Sequence, residues 1–125
     1  MTKQQKNRKL SQTQVFIISA IFGFCIWALP ILKYHSEPWD VGGQSYLIVS
    51  IAGGFILGML APRYFAVCYL GAWLGQVLAC GVLPGIDHAW LMLGVLTTGI
   101  GSILVLVGAI IGSMIINSIE PPEKK

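Results

Sequence analysis

Few side chains in this sequence have both the type and the spacing to do chemistry. His35, Glu37 and Asp40 share one polar stretch, and Asp87 with His88 share another. Imidazole beside carboxylate can hold a transition metal or sense acid. The spacing matches no ligand pattern, and two solvated polar loops account for the same residues, so no metal and no cofactor is expected. Cys25, Cys68 and Cys80 fall inside apolar runs, with no C-x-x-C pair and no histidine at ligand spacing, and read as small packing residues. If one helix carries both Cys68 and Cys80, they lie about 18 Å apart, beyond disulfide reach. The apolar runs contain no Ser/His pair, no paired carboxylates and no H-E-x-x-H. No catalytic residue is assigned, and the chain is read as a non-enzyme.

One strong polar group sits in the middle of an apolar run, the Gln76 amide. Left unsatisfied in hydrocarbon it would cost several kcal/mol, so it must face protein or trapped water. The preferred reading is an interhelical hydrogen bond, worth roughly 1 kcal/mol. The alternative is a path or ligand surface lined by Gln76, Trp73 and Thr98.

The elements that carry these residues follow from composition. Hydrophobic residues make up 55% of the chain and charged residues 10%, which describes a chain that lives mostly in lipid. Ala89 to Ile119 has no charged side chain, and roughly 20 apolar helical residues suffice to cross the hydrocarbon core. Similar runs predict helices over about 14–32, 45–62, 64–83 and 89–117, flanked by a basic tail at 1–12 and a polar tail at 118–125. The fold class is therefore all-α, a polytopic four-transmembrane-helix bundle in a single domain. Ser11 with Gln14 reads as a capping box that opens the first helix. A cleaved signal peptide is set aside because the apolar run is too long and too aromatic and no small-x-small site follows it. The second helix is short unless Gln44 and Ser45 join it. Pro62-Arg63 closes it with a turn so short that the second and third helices should be antiparallel neighbours.

Small residues at fourfold spacing mark the packing faces. Ser50, Gly54 and Gly58 line one side of the second helix, and Gly108 and Gly112 end a ridge on the fourth. On the third, Gly71 and Gly75 with Leu78 and Val82 form one stripe, opposed by Tyr69, Trp73, Gln76 and Cys80. Thr97 to Ser102 is the place where the fourth helix would bend or break, although an intact helix is the preferred reading. The segments GFILGML and GAIIGSM align Gly54 with Gly108 and Gly58 with Gly112, which shared packing chemistry explains without a duplication. Tyr34, Trp39, Tyr46, Trp27 and Trp90 read as an aromatic belt at the outer interface.

Lys3, Lys6, Arg8, Lys9, Arg63, Lys124 and Lys125 fall on one side of such a bundle and only Lys33 on the other, so both termini are expected in the cytoplasm. The net charge of +3 is then a topology signal, and nothing points to nucleic acid. In size the chain is similar to small multidrug-resistance transporters and small fluoride channels. It departs from the transporters in lacking an acid between Val15 and Leu32, and its one-sided charge disfavours dual topology. Pro38-Trp39-Asp40, Ala61-Pro62-Arg63 and Leu74-Gly75-Gln76 give it a resemblance, over about Glu37 to Ser113, to small uncharacterised bacterial four-helix integral membrane proteins. That resemblance implies the architecture and a bacterial inner membrane, and brings no activity. The expected function is that of an accessory or assembly subunit that packs through its glycine ridges. Its partners would be the lipid bilayer and a homo-oligomer or larger membrane complex. The alternative is a small oligomeric transporter or channel with a path near Gln76.

Overall fold

The structure, a computed structural model, describes residues 10–35, 43–83 and 91–119. Among them are four α-helices: α1 (Gln12–Tyr34), α2 (Gly43–Leu60), α3 (Phe65–Val82) and α4 (Leu91–Ile119). All four are long and apolar enough to cross a membrane. The boundaries differ from the sequence expectation by one or two residues at each end. Gln44 and Ser45 lie inside α2, which lengthens the helix that looked short.

Local chemistry accounts for the ends. The Ser11 hydroxyl accepts from the Gln14 backbone N–H at 3.2 Å while the Ser11 N–H donates to the Gln14 side chain at 2.9 Å, a reciprocal capping box. Ser11→Ala should lower thermal stability in detergent by about 1 kcal/mol, measured against Thr13→Ala as a control on the same exposed turn. At the other end α1 runs through Pro30 and stops at His35, whose left-handed conformation (φ 52) turns its N–H back to the Ile31 carbonyl. Pro62 and Arg63 form the turn between α2 and α3, closed by the Tyr64 N–H donating to the Ala61 carbonyl at 3.0 Å. α4 is a continuous helix through Thr97–Ser102.

Chain order does not set the packing. α1 lies along α3 and α2 along α4, α3 and α4 join the two pairs, and α2 touches α1 and α3 only slightly. The tight turn makes α2 and α3 antiparallel without making them principal partners, which corrects the neighbour expectation. The reason is where small residues let backbones approach. A Cβ at Gly23 would fall on the Ala72 carbonyl, and one at Gly75 on the Ala20 carbonyl. In the other pair, Gly54 and Gly58 abut the Val105 and Ala109 carbonyls, while Gly108 and Gly112 abut those of Ile51 and Phe55. Gly71 meets the Phe16 carbonyl and Gly75 that of Ala20, as Gly54 meets Val105 and Gly58 meets Ala109, so position numbers rise together on both helices of each pair and each pair is parallel. Without side chains between them the backbones pack closely, the arrangement small-xxx-small ridges permit.

Two apolar clusters lie along the bundle. Val15, Leu57, Ala61, Cys68, Ala72, Val105 and Ala109 form one near the Pro62 turn. Ile26, Trp27, Ile31, Ala79 and Cys80 form the other toward the opposite end. On α3 the buried stripe continues from Gly71 and Gly75 to Ala72 and Ala79. Leu78 and Val82, expected on that stripe, are 50% and 72% exposed and face away from the bundle. Cys68 and Cys80 are buried, Cys25 is exposed and so is not a packing residue within the bundle, and none of the three forms a disulfide.

Candidate functional site

Gln76 lies where the four helices converge, between the two apolar clusters, and is fully buried. Its Oε1 accepts two hydrogen bonds, from the Trp27 Nε1–H of α1 at 2.9 Å and from the Tyr46 hydroxyl of α2 at 2.8 Å. Its Nε2 donates to the Ser102 Oγ of α4 at 2.9 Å. One amide on α3 thus bonds to side chains of each of the other three helices. An amide suits this position because it offers both an acceptor and donors without charge, and a carbonyl oxygen has two lone pairs for the two donors aimed at it. Each partner is held by its own helix. Trp27 is four residues beyond Gly23, Tyr46 four before Ser50, and Ser102 four beyond Thr98, so all three point inward with their ridges.

Trp73 and Thr98, grouped with Gln76 as a candidate path, are engaged elsewhere. The Trp73 Nε1–H donates to the Val95 carbonyl of α4 at 3.2 Å, and its ring stacks with Tyr69 at 6.4 Å between centroids. Thr98 is buried, and its hydroxyl donates back along its own helix to the carbonyls of Gly94 (2.8 Å) and Val95 (3.0 Å). The residue of α4 that meets Gln76 is Ser102. Trp27 and Tyr46, assigned by sequence to an outer belt, belong to the interior: Trp27 is 1% exposed and Tyr46 half-buried. Their fourfold spacing from Gly23 and Ser50 was the signal that placed them there. Tyr34 is exposed, with the Lys33 ammonium 5.0 Å from its ring centre.

The ridge residues Ser50, Gly54, Gly58, Gly71, Gly75, Gly108 and Gly112 are all buried between helices. Reading the sequence for ridges missed the one on α1, where Val15, Ser19, Gly23, Trp27 and Ile31 recur every fourth residue and are all buried. The Ser19 and Ser50 hydroxyls are buried without a well-formed hydrogen bond, Ser19 beside Cys68 and Ser50 beside Tyr46. Glu37, Asp40, Asp87 and His88, like the belt residues Trp39 and Trp90, lie outside the described residues. Among the described residues no three histidine, cysteine or acidic side chains come close enough to hold a metal ion.

No family model, curated protein or solved structure matches the chain. The functional reading therefore rests on this geometry.

Proposed function

We propose that the chain is a multi-pass protein of a bacterial inner membrane, with both termini in the cytoplasm, acting as a non-enzymatic accessory or assembly subunit. The observation that carries this reading is the state of Gln76. Its oxygen accepts from Trp27 and Tyr46 and one of its N–H groups donates to Ser102, in a layer flanked on either side by apolar clusters. A polar group lining a wet path would keep capacity for water or substrate. The side chains that do face outward, among them Ile21, Leu29, Ile48, Ile56, Leu96 and Ile100, are apolar and suit lipid or a partner helix.

The test is a cysteine at Ser102, a near-isosteric change, in a background lacking Cys25, Cys68 and Cys80. Small water-soluble thiol reagents should leave it unmodified while a cysteine at position 5 reacts in opened membranes. Rapid modification at 102 would put water in the layer and rank the transporter reading first. A complex purified from the native membrane should contain further copies or another membrane subunit.

Topology has its own check. With the same cysteine-free background in intact cells, an impermeant reagent should label cysteines at 39 and 86 and spare those at 5 and 123, as the basic-residue asymmetry requires. The reverse pattern would invert the orientation.

A further inference from the structure

The two kinds of helix contact differ in softness. Within α1·α3 and within α2·α4, backbone lies on backbone at Gly23, Gly75, Gly54, Gly58, Gly108 and Gly112. Between the pairs, contact is made by side chains, and unevenly. The α3·α4 side has the broader contact, with Gln76 on Ser102 and Trp73 on the Val95 carbonyl. The α1·α2 side is slight, with the Phe22 ring against Gly53.

We infer that the bundle opens sideways between α1 and α2, the glycine-packed pairs α1·α3 and α2·α4 turning as rigid bodies about the α3·α4 contact. The close glycine packing within the pairs and the slight contact between α1 and α2 favour this motion. The Trp27–Gln76 bond lies inside one pair and is kept. The Gln76–Ser102 and Trp73–Val95 bonds lie at the pivot and are kept. Among the described residues, the Tyr46 hydroxyl must leave Gln76 and its neighbour Trp27, and the Phe22 ring must leave its seat on Gly53. Ser50, on the same face as Tyr46, adds no well-formed hydrogen bond to hold the seam. Interhelical hydrogen bonds between such helices are worth on average about 0.6 kcal/mol, so this latch is light, whereas separating either pair breaks close backbone packing over several turns. The Ala61–Tyr64 turn and the cluster around Leu57 tie the pairs at one end. The opening is therefore a wedge, widest near Tyr46, and it bares the Gln76 layer sideways toward lipid. Packed interfaces of this kind move between discrete arrangements rather than deforming continuously.

Spin labels on outward positions test it by pulsed electron paramagnetic resonance, in the cysteine-free background reconstituted in bilayers. Leu29 with Ile48 spans the α1·α2 seam, while Leu29 with Leu78 and Ile48 with Ile103 report within the pairs. The seam pair should show a second population longer by about 5 Å or more, enlarged by Phe22→Ala with Tyr46→Phe, while both within-pair distances stay single and narrow. A seam distance as narrow as the within-pair distances in the parent and in the variant would overturn the proposal. So would within-pair distances that spread along with the seam, because the pairs would then not be rigid bodies.

Discussion

Gly75→Ala should lower stability in detergent by about 1–3 kcal/mol, while Gly81→Ala, six residues along the same helix, should leave it unchanged or raise it by up to about 1 kcal/mol. The two substitutions add the same methyl group to α3. At Gly75 that methyl would fall on the Ala20 carbonyl of α1, and backbone cannot yield as a flexible side chain does, so the α1·α3 pair must separate. At Gly81 nothing lies within 4 Å, and the better helix former only gains. Leucine should exaggerate the contrast at Gly54 and Gly108, whose added carbons meet the Val105 and Ile51 carbonyls, against Leu106→Ala as a cavity control. Reversible unfolding followed by helical circular dichroism gives the numbers. Equal stability of the two α3 alanine variants would mean that α1 and α3 do not touch at Gly75.

Gln76→Leu should cost about 2–3 kcal/mol, more than an interhelical hydrogen bond of average strength, because it strands partners on three helices rather than one. The Trp27 N–H and the Tyr46 hydroxyl lose their shared acceptor, and Ser102 loses its donor. A buried donor without an acceptor costs about 1–3 kcal/mol, reduced where the side chain can turn to another partner. The mechanism makes a second, sharper demand. Tyr46→Phe alone should cost about 1 kcal/mol, but combined with Gln76→Leu it should add clearly less, since the bond between the two side chains is already gone. Strict additivity in this double-mutant cycle would show that Tyr46 and Gln76 do not bond.

Much of the fold could be read from local pattern. Runs free of charge set the number and rough extent of the helices, because the length of an apolar helix is a property of consecutive residues. Ser11 with Gln14 announced the start of α1, and fourfold spacing marked Ser50, Gly54 and Gly58 as one face, because both depend on residues within a few turns. Gln76 stood out for a similar reason, as an amide in an otherwise apolar stretch.

Which ridge meets which was not readable in this way. The Pro62-Arg63 turn made α2 and α3 look like partners, yet α2 packs on α4 and α3 on α1, since pairing follows the match of two surfaces distant in sequence and a turn fixes only direction. Leu78 and Val82 fell away from the buried stripe because the buried face of α3 is centred on Ala72 and Ala79, between the two stripes that the wheel sets opposite each other, which leaves Leu78 at its edge, while Val82 is the last residue of the helix. Trp27 and Tyr46 passed for interface anchors by residue type, and only the convergence of α1, α2 and α3 brings their donors to one oxygen. A hydrogen bond joining residues 27, 46 and 76 has no signature along the chain, because its geometry exists only after the helices have packed.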